Sequence, residues 1–229
     1  MFMQLKPQEV LLRMNSLEER WWDLNTHFEI DEKNTKAWWN VIQTRYCEKQ
    51  RHYHTLSHLT EMFQHFDQHV HTLKQPYLVT LAIFFHDLIY DPTQKDNEER
   101  SAEEFVCYAH ETLAKLTESE CSTVEAWILM TKNHTTTIEG SEDYHYFLDI
   151  DMAVLGRPEK EYMKYAEQIK KEYSHIPEPD YKIGRSKVLS NFRERERLYS
   201  TKEFHEKLND RAKENMRKEI DYLKRDTVC

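Results

Sequence analysis

Residues Leu78-Val79-Thr80-Leu81-Ala82-Ile83-Phe84-Phe85 run without a charge directly into His86 and Asp87. Pro76 suits a first helical turn, so the segment predicts a helix reaching about Asp87 that is apolar nearly all round. A helix of that kind is packed in the middle of a bundle. Its end would deliver His86 and Asp87 into the interior, where a charged pair needs a partner.

The rest of the chain supplies amphipathic helices to surround it. Trp38, Trp39, Ile42 and Tyr46 recur at helical spacing after a cap at Asn34 or Thr35, and Leu59, Met62, Phe63, Phe66 and Val70 do so again. After the turn-like Tyr90-Asp91-Pro92-Thr93, another helix opens with Asp96 or Asn97 as cap and with acidic residues in its first turn. Further helices are expected over 119–134, 159–173, 181–193 and 202–225. Gly140, Gly156-Arg157-Pro158 and Pro177-Glu178-Pro179 supply the breaks. The expectation is an all-α, single-domain helical bundle over 1–229. Its 3 glycines, 6 prolines and 32% charged residues fit long helices with solvated outer faces.

Charge and cysteine usage narrow the function classes. A net charge of -9 argues against a broad polyanion-binding surface and so against a nucleic-acid partner, although it leaves room for a local basic pocket holding one phosphate. Residues 1–7 lack the basic start and apolar core of a signal peptide, and no run approaches a membrane span. Cys47, Cys107, Cys121 and Cys229 have neither CxxC spacing nor the density of a disulfide framework, and read as reduced, buried small hydrophobes. A cytoplasmic protein without membrane partners is expected.

Two histidine pairs four residues apart, His54 with His58 and His65 with His69, lie on similar flanks of one predicted helix. Each could approach one ion, and periodicity alone does not choose between them. Downstream, Asp149 and Asp151 compete as a distal acidic group. Imidazole and carboxylate ligands drawn from such residues would make a mixed N/O donor set suited to Mn²⁺, Fe²⁺, Co²⁺ or Zn²⁺, with Mg²⁺ less expected.

The order of histidine, His-Asp dyad and distal aspartate resembles the HD-domain superfamily of metal-dependent phosphohydrolases. The likeness is greatest to a branch in which Arg-x-Tyr-His-x-x-x-His, His-Asp-x-x-Tyr-Asp-Pro, Asn-Glu-x-x-Ser-Ala and Leu-Asp-x-Asp-x-x-x-Leu-Gly follow one another, here at 51–58, 86–92, 97–102 and 148–156. These motifs lie within about 45–157. The later Tyr173-Ser174-His175-Ile176-Pro177 and Tyr181-Lys182-Ile183-Gly184-Arg185 match that branch too, and C-terminal helices would complete the bundle.

The resemblance implies His58, His86, Asp87 and Asp151 as metal ligands, and hydrolysis of a small phosphate ester or anhydride, favouring a nucleotide, by a metal-activated water. Tyr53-His54-Thr55-Leu56-Ser57-His58 also resembles the Tyr-His-Asn-x-x-His element of cyclic-nucleotide phosphodiesterases, with Thr55 replacing asparagine. His54 is accordingly the candidate general acid, and the catalytic pair is His54 with Asp87. Arg51, Lys132, His134 and Arg185 are the candidate phosphate contacts. Glu98 or Glu99 could orient water or support a ligand.

Two other functions fit the same residues. A metal- and nucleotide-binding sensor module would bind without turnover. A di-iron oxygenase of this fold would require His134 as a further ligand. Trp21-Trp22 and Trp38-Trp39 are assigned to packing, and Arg193-Glu194-Arg195-Glu196-Arg197 to a solvated helix face.

Overall fold

A computed structural model describes residues 16–112, 115–134 and 139–225. Residues 1–7 and Cys229, both read above, lie outside the described residues. Those described form ten α-helices with no strand: α1 (Leu17–His27), α2 (Glu32–Tyr46), α3 (Leu56–His69), α4 (Pro76–Phe85), α5 (Asn97–Glu111), α6 (Glu118–Met130), α7 (Asp143–Met152), α8 (Glu159–Glu172), α9 (Glu178–Arg193) and α10 (Lys202–Arg225). A 3-10 turn, Ala153–Gly156, follows α7.

All residues of α4 are buried. The helix packs against α1, α3, α5, α6 and α7, which is why its sequence carries no polar stripe. Trp21 meets Phe84 at 5.2 Å and Tyr108 at 5.3 Å, and Phe85 meets Phe105 at 5.5 Å, so aromatic edges and faces fill the space around the last turn of α4. His86 caps that turn through its backbone N–H to the Ala82 carbonyl. The apolar surroundings therefore hold the His-Asp dyad at a defined depth.

Several boundaries differ from the sequence reading. α2 starts earlier, because Asp31 caps it by accepting the Asn34 N–H at 3.0 Å; Thr35 is buried, and its carbonyl accepts the Trp21 indole N–H at 2.8 Å. α6 starts at the Thr117–Glu120 capping box and stops at Met130, short of His134. α9 begins before Pro179, which sits in the first turn where no N–H is needed. Asp96 takes the cap position of α5 without a side-chain bond, whereas Asn97 bonds to both the N–H and the carbonyl of Asp91 and ties down the preceding loop.

Cys47 and Cys107 are exposed and Cys121 is half-buried, all as free thiols. The buried reading fails for the first two because one terminates α2 and the other lies on the outer face of α5. Trp21, Trp38 and Trp39 are core residues, while Trp22 is half-buried. Among the described residues no helix is long and apolar enough to cross a membrane.

Candidate metal centre

Three helix ends converge on one point. His58 stands in the first turn of α3, whose start is fixed by the Thr55 hydroxyl accepting the Ser57 N–H. His86 and Asp87 leave the end of α4, and Asp151 lies in the last turn of α7. Nε2 of His58 is 3.2 Å from Nε2 of His86 and 3.2 Å from Oδ1 of Asp151, which is itself 3.6 Å from His86 Nε2. These three side chains form a group able to hold a metal ion. Asp87 Oδ2 adjoins it, 3.1 Å from His86 Nε2 and 4.0 Å from His58 Nε2.

The donor chemistry fits a cation. His86 Nδ1 lies 2.9 Å from the Ile83 carbonyl, which can only accept, so Nδ1 carries the proton and a neutral ring turns the Nε2 lone pair toward the cluster. Burial disfavours charge on His86, but the Asp87 and Asp151 carboxylates outweigh it and push the ring up to about 9. Carboxylates that favour an imidazolium so strongly would favour a metal cation at the same spot.

Burial also opposes ionisation of those two carboxyls. His86 beside both, with His54 near Asp87 and with His134 and His58 bonded to Asp151, holds them well below the usual carboxylate range. For His58, burial dominates and lowers the ring, favouring the neutral ligand form.

Asp149 belongs elsewhere. It is buried and accepts the N–H groups of Ser200 at 2.8 Å and Thr201 at 2.7 Å together with the Thr201 hydroxyl, joining α7 to the start of α10. Of the two aspartates, Asp151 is the one that the fold brings to His58 and His86. His65 and His69 lie on the ring of Phe204, at 5.7 and 4.8 Å, outside the metal group.

A cavity of about 400 Å³ opens over the cluster and is lined by His54, Asp87, Asp151, Lys132, His134 and Arg185 among others. Lys132 reaches it while bonded to the Lys95 carbonyl and to Glu99, and Arg185 while paired with Glu219 at 2.9 Å. Arg51 is instead enclosed beneath the site. Its guanidinium donates to the carbonyls of His54 (3.0 Å), Asp87 (2.7 Å) and Leu88 (2.8 Å), so it fastens the two motif-bearing loops together. Glu98 faces the cavity and burial raises its carboxyl, whereas Glu99 is the partner of Lys132.

His134 follows α6 with a left-handed φ of 43°, a conformation costly for a non-glycine residue, and Nε2 lies 2.7 Å from Asp151 Oδ2. Arg195 stabilises this turn by donating to the carbonyls of Asn133 and His134, and stacks over Phe192 at 4.4 Å. The charge run read as a solvated face therefore includes one residue that shapes the site.

Glu172 was not legible as a site residue. It ends α8, is buried, and accepts the backbone N–H groups of His52, Tyr53 and His54 and the ring of His54. Burial works against its ionised form, but those bonds prevail and hold its carboxyl at about 2. The available signal was a carboxylate in the last turn of a helix, where the dipole disfavours negative charge. His54 itself is lowered by burial and raised more by Asp87 and Glu172, for a net shift upward.

No family model, curated protein or solved structure matches this chain.

Proposed function

We propose that this protein is a metal-dependent phosphohydrolase of the HD type, acting on a small phosphate ester or anhydride, with nucleotides the favoured class. The observation that carries the reading is the convergence of His58, His86 and Asp151, with Asp87 adjoining, beneath a cavity that Asp87 and Asp151 line together with the cationic Lys132 and Arg185. The ion would be held by His58, His86, Asp87 and Asp151, and this N/O set favours Mn²⁺, Fe²⁺, Co²⁺ or Zn²⁺ over Mg²⁺. When bound, it supplies Lewis acidity toward a phosphoryl oxygen and toward water.

The chain's own residues supply the rest. Lys132 and Arg185, each already held by a carboxylate, present positive charge along the cavity wall for phosphoryl oxygens. His54 Nε2 is 3.9 Å from Asp87 Oδ2, close enough to the ligand set to protonate a departing oxygen. Glu98 borders the same space and can accept a hydrogen bond from water or from a sugar hydroxyl. A cavity of about 400 Å³ suits a mononucleotide-sized ligand rather than a polymer.

The test is phosphate release from nucleotides, sugar phosphates, pyrophosphates and cyclic nucleotides with Mn²⁺, Co²⁺, Fe²⁺ or Mg²⁺ added, using Asp87→Ala as control. Release by the wild type alone supports the reading and its preferred substrate defines the class. No release above the control under any condition would sink it.

A further inference from the structure

We infer that Glu172 is a positioning residue for proton transfer: it fixes the loop and ring of His54 so that Nε2 faces the cavity and can donate to the leaving oxygen. The inference rests on the phosphohydrolase reading above and adds a residue that no sequence motif marked.

The two oxygens of Glu172 have separate tasks. Oε1 accepts the N–H groups of His52 at 2.7 Å, Tyr53 at 2.6 Å and His54 at 3.0 Å, a concave run of successive amides of the type that binds anions. Oε2 accepts the Tyr90 hydroxyl at 2.8 Å and lies 2.7 Å from His54 Nδ1. An ionised carboxylate only accepts, so the Nδ1 proton is placed on that bond and Nε2 is left for the cavity. Tyr90 stacks on the imidazole with centroids 4.2 Å apart, which blocks rotation of the ring away from this alignment. Glu172 side-chain exposure is 0%, so water does not compete for these bonds.

The proton balance is simple. The bond from phosphorus to the leaving oxygen breaks with its electron pair going to that oxygen, which takes the proton from Nε2. Water oxygen forms the new bond to phosphorus, and the proton that water releases returns to the ring through solvent. Throughout, Nδ1–H stays on Glu172, which stabilises the imidazolium before transfer and fixes the tautomer after it. Glutamine at this position would still accept the three amides through its carbonyl, but its NH₂ would face Nδ1. The neutral ring would then hold its proton on Nε2 and could release it only as an imidazolate.

Glu172→Gln and His54→Ala, singly and combined, would be assayed on metal-loaded protein with an alkyl phosphomonoester and with 4-nitrophenyl phosphate. A general acid is needed most by the poor leaving group, so each single variant is expected to lose about 100-fold in kcat/KM on the alkyl ester and only a few-fold on the nitrophenyl ester. The double variant should match His54→Ala, because one residue acts through the other. Metal content should stay at the wild-type value.

Equal losses on both esters, additive losses in the double variant, or loss of the metal in either single variant would overturn the inference. Long-range nitrogen-15 spectra of wild-type His54 read the tautomer without any substitution or turnover. A protonated Nδ1 supports the assignment, and a bare Nδ1 overturns it. Absence of turnover with either ester in the wild type would instead overturn the hydrolase reading, which keeps the two failures distinct.

Discussion

Nε2 of His58, from the first turn of α3, lies 3.2 Å from Nε2 of His86, from the end of α4. Two imidazoles meeting nitrogen to nitrogen share one proton at most, and Asp151 Oδ1 sits within 3.6 Å of both. A metal cation can take the place of that shared proton. We expect close to one equivalent of transition metal per chain after incubation with Mn²⁺ or Co²⁺, and a fall to background in His58→Ala, His86→Ala and Asp151→Ala. Elemental analysis of the purified proteins decides it; full metal content in any of the three removes that residue from the ligand set.

Metal binding should release protons. Without an ion, burial opposes charge on His86 but the neighbouring carboxylates push it up to about 9, so the ring is an imidazolium at neutral pH and must lose its proton to become a ligand. Affinity should therefore rise with pH toward about 9, with roughly one proton released per ion at pH 7. Titration calorimetry in buffers of different ionisation enthalpy measures that number, and zero release would contradict it.

The same shift fixes the pH dependence of metal-free stability. A histidine raised from 6.5 to about 9 on folding contributes its full stabilisation below 6.5 and loses it as pH rises through 9. Thermal unfolding in the presence of a chelator should show the midpoint falling between pH 7 and 9.5. His86→Ala should flatten that decline; an unchanged slope in the variant would assign the effect to another group.

Asp149 and Asp151 are two residues apart and should separate cleanly. Asp149→Ala leaves the Ser200 and Thr201 amides without their acceptor, and should cost about 2 kcal/mol of stability while retaining the metal. Asp151→Ala should keep its helical circular dichroism and lose the metal. The reverse pattern would exchange the two assignments.

Arg51→Met should behave as a structural lesion. It strands the carbonyls of His54, Asp87 and Leu88, and the loss should be on the order of 3 kcal/mol, a drop in Tm of about 10 °C. A variant with unaltered Tm and a raised KM would return Arg51 to substrate binding.

The sequence by itself determined the all-helical character, because an uncharged stretch ending at Phe85 must be covered and the surrounding segments carry apolar residues at helical spacing. It also nominated His58, His86, Asp87 and, with Asp149 as its competitor, Asp151, since their motifs and order survive without knowledge of distance. What it could not decide depended on contacts across the fold. Asp149 and Asp151 have the same chemistry, and only the arrival of Ser200 and Thr201 beside one of them separates their roles. Arg51 carries the charge a phosphate would want, yet carbonyls 3, 36 and 37 positions away claim its donors. Glu172 lies 118 residues from His54, and no local pattern links them. Local periodicity is written in neighbouring residues, whereas the partner of a buried polar group is set by which distant segment the packing of the apolar faces brings beside it.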